Sequence, residues 1–209
     1  MARKVAPVPP VKGSKRERVV RAASRLFLEQ GYGATGMDAI AQEADVSKAT
    51  VYSYYRDKAS LFADVMVQMC DDVGRRLDAK GLPGGSLEED LRAIALHGLQ
   101  HLLAAVDQGI IRRVVAESGE FPELGRKFWE TGPGKIQELF ARCLEAARRK
   151  GRLDVDDPAR AARRLVGQLA GPYVMPILAG VRGRPSEAEI RRDVDALVAG
   201  FLAAVERRR

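Results

Sequence analysis

Cysteine, histidine and aromatic residues are scarce in this sequence, and so are long uncharged runs. Two cysteines in 209 residues cannot supply the disulfide framework of a small exported domain. Cys70 and Cys143 read instead as buried thiols in a reducing compartment. Aromatic residues make up 6% of the chain, sustained alternation of apolar and polar residues is missing, and there is no Asn-Gly or Asp-Gly hairpin turn, which argues against a sheet protein. The longest charge-free run, between Arg164 and Arg182, contains Gln168, Pro172 and Pro176 and falls short of a bilayer-spanning helix. The first residues, "MARKVAPVPPVKGSKR", lack the apolar segment of a secretion signal, so residues 1–13 are expected to be a loose basic arm and the location cytoplasmic, with no membrane partner.

Apolar residues recurring at helical spacing fill the rest, and the predicted fold class is all-α with about nine helices. The first runs from about Lys15 to Gln30, with Val19, Ala23, Leu26 and Phe27 inward and Gly31 as its stop. Two short segments follow, Met37 to Ala44 and Ser47 to Tyr55, and Asp57 then caps a helix carrying Leu61, Phe62, Val65 and Met69. After "KGLPGGS", Ser86 with Glu89 forms a capping box for a helix to about Val106. Further helices are expected at Ile110 to Glu117, on either side of Gly132-Pro133-Gly134, from Asp157-Pro158 towards Tyr173, and from near Pro185 onwards. Residues 14–60 are expected to form one domain and 61–209 a second, larger one.

Formal charge is +7, and the first sixty residues, with eleven Lys or Arg against six Asp or Glu, hold most of it. Polyanion binding is therefore expected at the N-terminal end. Within that region "VSKATVYSYYRDK", residues 46–58, is too rich in Tyr, Ser and Thr to be a good helix former. Its place after a short helix and a tight "ADVS" connection, behind a longer supporting helix, fits a helix-turn-helix. On a helical wheel Val51 and Tyr55 lie about 40° apart and anchor inward, leaving Ala49, Thr50, Tyr52 and Ser53 outside. Small Ala49 admits a backbone, Thr50 and Lys48 suit base edges, and Tyr52 and Lys58 suit phosphates. A merely amphipathic surface segment is the alternative at this point.

Residues 16–62, "RERVVRAASRLFLEQGYGATGMDAIAQEADVSKATVYSYYRDKASLF", resemble the N-terminal domain of TetR-family transcriptional regulators. The resemblance is carried by Ala22, Leu26-Phe27, Gly31-Tyr32, Thr35, Ile40-Ala41, Ala44, Val46-Ser47, Thr50, Tyr52, Lys58 and Leu61. It implies a homodimer presenting two helices to successive major grooves of a palindromic operator. Position by position it implies Thr35 and Ser47 as helix-start groups near phosphates, Lys48, Ala49, Thr50 and Tyr54 as base-reading or groove-lining residues, and Tyr52 and Lys58 as backbone clamps. Asp45 stands where the family usually has a turn glycine, Gly36 where Ser or Thr is frequent, and Ala49 where Gly is common. Asp45 is therefore expected to take a left-handed conformation, and Thr35 with Asp38 to cap one residue early.

The segment from Arg112 to Leu165 is similar to the C-terminal domain of AefR-type members through Glu117, Phe121-Pro122, Leu124, Phe128, Gly151, Leu153, Asp157-Pro158 and Ala161-Ala162. Leu165, Leu169 and Tyr173 on one helix, and Ile190, Val194, Leu197, Phe201 and Val205 on the last, form apolar stripes suited to a two-helix dimer face. An intramolecular core would claim part of the same stripes. His97, Trp129 and Tyr173 are the candidate effector-binding residues, with Met66, Met69 and Cys70 as further cavity lining. His97 and His101 have metal-site spacing but no third ligand in a neighbouring motif, so neither metal nor cofactor is expected. No nucleophile elbow, phosphate-cradling loop or positioned carboxylate pair is present, and no enzyme is expected. The expected function is a homodimeric, DNA-binding transcriptional repressor released from its double-stranded operator by a small hydrophobic effector. The alternative is a non-specific basic protein that binds nucleic acid or an anionic membrane surface.

Overall fold

The computed structural model describes residues 13–66, 85–107 and 109–205. Expectations for the arm, the Gly/Pro-rich break, Met69 and Cys70 lie wholly or mainly outside these residues. The chain is all-α, and it divides into two compact units, Met1–Val65 and Met66–Arg209.

In the first unit, α1 (Lys15–Gln30), α2 (Met37–Glu43), α3 (Lys48–Tyr54) and the start of α4 (from residue 58) follow one another. Ser14 and Glu17 close a reciprocal capping box at the head of α1, and Gly31, at φ 91°, ends it. Val19, Val20, Ala23, Leu26 and Phe27 are buried, and the rings of Phe27, Tyr32 and Phe62 meet with centroids 5.5–5.6 Å apart. Asp57 caps α4: its carboxylate accepts from the Ser60 N–H at 2.7 Å, and that bond holds its pKa below the ordinary carboxylate value.

The second unit contains α5 (Leu87–Asp107), α6 (Ile110–Glu117), α7 (Pro122–Thr131), α8 (Pro133–Arg149), α9 (Pro158–Ala170), α10 (Val174–Leu178) and α11 (Glu187–Val205). The Ser86–Glu89 capping box opens α5 as the sequence implies. Helices α5, α8, α9 and α11 enclose an aliphatic core that includes Leu91, Ile94, Leu99, Leu103, Phe140 and Leu144. Gly98 lets α5 approach α8, since a Cβ there would stand 2.9 Å from Ile136 Cγ2. The short α10 occupies a stretch where no separate helix is expected, with Pro176 in its middle.

Candidate nucleic-acid interface and ligand cavity

Helix α3 is anchored on one side and open on the other. Val51 is fully buried and Tyr55, just past the helix, is 5% exposed, whereas Tyr52 and Tyr54 are 46% and 45% exposed. Lys48, Ala49 and Ser53 are exposed and Thr50 is half-buried. Ser47 is the N-cap: its hydroxyl accepts from the Thr50 N–H at 3.1 Å and shares a bond with the Thr50 hydroxyl at 2.8 Å. Both the backbone N–H and the hydroxyl of Thr50 are thereby tied to Ser47. The Lys48 ammonium sits 2.8 Å from an Asp38 carboxylate oxygen. That bond raises the lysine's pKa above its ordinary value.

Polar side chains fix the connections around α3. Arg18 of α1 donates from Nε to the Ala44 carbonyl at 2.9 Å and from its terminal nitrogen to the Ala44 and Asp45 carbonyls, and it pairs with the Asp45 carboxylate at 2.8 Å. Asp45 has φ 50°, the left-handed turn conformation expected of it. Arg16 and Asp64 form a two-pronged pair at 2.8 and 2.9 Å, and the Tyr55 hydroxyl lies between them, donating to Asp64 and accepting from Arg16. Burial first, then the bond to Asp64, pushes the Tyr55 pKa up to about 12. These arginines escape a reading along the chain because their partners are 26 to 48 residues away. A missed signal was available: a left-handed Asp45 leaves carbonyls at the end of α2 that require a donor.

Two expected site residues have other duties. Lys58, expected to clamp a phosphate, donates instead to the Tyr32 carbonyl at 2.6 Å and the Thr35 carbonyl at 3.0 Å, with Gly33 at 3.4 Å, and its ammonium stands 4.4 Å from the Tyr32 ring centroid. It clasps the loop between α1 and α2, so its protons are spent inside the unit. Thr35, expected as a helix-start group, is 1% exposed and donates to the Gly31 carbonyl at 2.7 Å. The N-cap of α2 is Gly36, which has no side-chain cap.

In the second unit a small cavity of about 30 Å³ opens among Met66, Leu102, Phe128, Ile136 and Leu169, with His101 and Thr131 contributing its polar groups. Met66 lines it as expected, but His97, Trp129 and Tyr173 do not. Trp129 is 52% exposed on α7. His97 lies one helical turn from His101, with ring centroids 6.4 Å apart. Tyr173 is buried elsewhere, its hydroxyl bonded to Asp193 and its ring covered by Arg182 at 4.5 Å. Burial, then the Asp193 bond, raises its pKa to about 12. Among the described residues no three His, Cys, Asp or Glu side chains gather as metal ligands, and no described helix is long and apolar enough to cross a membrane.

The expected dimer face also divides. Leu165, Leu169, Tyr173, Ile190 and Val194 are at most 6% exposed within the unit itself, because their stripes close the core with α5 and α8. Leu197, Phe201 and Val205 are half-buried and line an open groove of about 620 Å³ with Arg160, Arg164 and Asp156.

Residues 89–206 match the family described as AefR-like transcriptional repressor, C-terminal domain, and residues 19–65 match bacterial regulatory proteins, tetR family. The solved structure of the flavonoid-responsive regulator FrrA is 38% identical, over 93% of this chain and 98% of that one, with a TM-score of 0.73. A TetR-family regulator from Mesorhizobium loti is 26% identical over 92% and 97% of the two chains, with a TM-score of 0.67. The regulator AcrR of Shigella flexneri is 25% identical over 63% of this chain; the match spans 65% of AcrR, less than two thirds of its length. The helix-turn-helix head matches one family model and more than half of the chain matches the other, so this protein belongs to the TetR family of bacterial transcriptional regulators and is not an enzyme.

Proposed function

We propose that the protein is a cytoplasmic, homodimeric repressor that binds a palindromic operator through α3 and leaves it when a small hydrophobic effector enters the second unit. The outward face of α3 carries this reading. Lys48, Ala49, Tyr52 and Tyr54 are exposed and Thr50 is half-buried beside them, while Val51 and Tyr55 hold the helix down. Ser47 and the α3 N-terminus lie beside that face as phosphate contacts. Because Lys58 donates to carbonyls within the unit, phosphate contact is assigned first to Tyr52 and backbone N–H groups. The groove of Leu197, Phe201 and Val205, edged by Arg160, Arg164 and Asp156, supports an isologous pairing in which both apolar contact and opposite charges repeat about a twofold axis. Half-sites would then lie about one helical turn of DNA apart, or a little more.

The apolar cavity with His101 and Thr131 supports an uncharged effector carrying few polar groups. Similarity to a flavonoid-responsive regulator makes flavonoids the first class to test. A cavity of about 30 Å³ is far below the roughly 300–1,000 Å³ of an occupied ligand pocket. Effector binding therefore requires an expanded state, and release from the operator follows if that state has lower DNA affinity. The description of the C-terminal family as a repressor domain supports the sign of regulation. Selection of genome fragments by the purified protein near physiological salt, followed by footprinting, tests the proposal. Recovery of a palindrome protected over two successive major grooves is the expected result; uniform recovery of all fragments would leave only electrostatic attraction.

A further inference from the structure

We infer that Asp38 is a positioning residue that sets operator base preference by holding Lys48, an inference that rests on the reading of α3 as the DNA-contacting helix. Asp38 lies in the first turn of α2 and Lys48 is the first residue of α3. The ammonium is 2.8 Å from one carboxylate oxygen and 3.0 Å from the other, yet the two side chains remain 70% and 60% exposed. A pair so open to water contributes little to stability. Its position matters more, because it ties the only lysine of α3 to a neighbouring helix at the edge of the outward face.

Without Asp38, Lys48 would be a mobile point charge on a four-carbon stem, and the nearest phosphate would attract it whatever the sequence. Its own helix offers no carboxylate partner, since the first turn of α3 has no acidic residue. The Asp38 carboxylate changes both conditions. It neutralises the ammonium, so a phosphate contact gains little. It also engages one ammonium proton between its two oxygens and turns the others away from α2. A tethered donor beside the Thr50 hydroxyl suits guanine O6 or N7. Asp38 thereby trades sequence-independent affinity for discrimination.

The test uses the full-length protein on the selected operator duplex and on a scrambled duplex of equal length, across a salt series. Asp38→Asn is expected to bind the scrambled duplex about tenfold more tightly near 0.1 M salt, to steepen the log–log salt slope by about 1 per protomer, and to flatten preference at one base pair in each half-site. Asp38→Glu is expected to retain the wild-type slope. In a Lys48→Ala background, Asp38→Asn is expected to have no further effect.

An unchanged slope and unchanged scrambled-duplex affinity in Asp38→Asn would overturn the inference. So would an effect that persists without Lys48, because the carboxylate would then act through its own charge. Equal weakening on both duplexes with a lowered melting temperature would make Asp38 merely structural. A wild-type protein that treats the two duplexes alike would instead overturn the DNA-reading assignment of α3. That result is distinct from one in which wild type and Asp38→Asn discriminate equally well.

Discussion

The two units are stabilised in different ways. In the first, charged and hydroxyl side chains reach across long stretches of sequence to hold loops: Arg18 on the end of α2, Lys58 on the α1–α2 loop, and Arg16, Tyr55 and Asp64 between three helices. In the second, α5, α8, α9 and α11 enclose an almost wholly aliphatic core. Size explains part of this. A unit of about fifty described residues buries a smaller fraction of its surface than one more than twice as long. The proposed function accounts for the rest, because a helix that is to read DNA must present its side chains at fixed positions, and directional bonds fix positions better than aliphatic contact.

The largest effects should come from the aliphatic core. Phe140, 1% exposed, fills the space between helices, and Phe140→Ala is expected to cost about 3–5 kcal/mol, measured by denaturant unfolding of the second unit. A loss no larger than that of a polar substitution in the first unit would break the contrast. On α11 the contrast operates within one helix, where Val198 is buried and Phe201 lines the open groove. In the proposed dimer, Phe201→Glu is expected to cost about 3–5 kcal/mol of dimer stability by placing an unpaired charge in the groove while leaving the protomer folded. Sedimentation equilibrium together with circular dichroism separates the two outcomes.

The polar clasp should give intermediate values. Lys58→Met is expected to destabilise the first unit by about 2 kcal/mol, since charged hydrogen bonds are lost and buried carbonyls are left unmade. The salt slope of binding to scrambled DNA should not change. A flattened slope with normal stability would return Lys58 to the phosphate contacts.

The smallest effect concerns Tyr55 and its counterpart Tyr173, one in each unit. Both phenols have folded pKa values of about 12 against an ordinary 10.0. The native state therefore favours the protonated form. Its stabilising contribution is complete below pH 10 and is lost as pH rises through about 12. Tyr55→Phe should cost about 1 kcal/mol at neutral pH and reduce the alkaline sensitivity of the first unit, followed by tyrosinate absorbance alongside unfolding.

Much of the first unit was legible because its signals are local. Val51 and Tyr55 at i and i+4, Ser47 before α3, Gly31 after α1 and the Asp57 cap each act within one turn of themselves. Lys58 was less legible for the opposite reason, since its carbonyl partners Tyr32, Gly33 and Thr35 lie 23 to 26 residues away, whereas Thr35 is held by a local bond to the Gly31 carbonyl that its burial, not its position in the chain, makes decisive. The α9 and α11 stripes show the same limit in apolar form. Helical periodicity reveals a buried face but not whether its partner is another helix of the same chain or a second copy. Leu165 and Val194 consequently proved to be core, while Phe201 is half-buried in an open groove. The cavity was the least legible feature, since its polar groups, His101 and Thr131, come from α5 and α7 and are joined only by folding.

The central claim is that the outward face of α3 reads sequence, and the direct measurement is a base-by-base binding scan of the selected operator with wild type and Thr50→Ala. The account predicts that Thr50→Ala loses about 1–3 kcal/mol of discrimination at one base pair per half-site, with the remaining positions and the salt slope unchanged. Uniform weakening at every position, or no change at any, would contradict it.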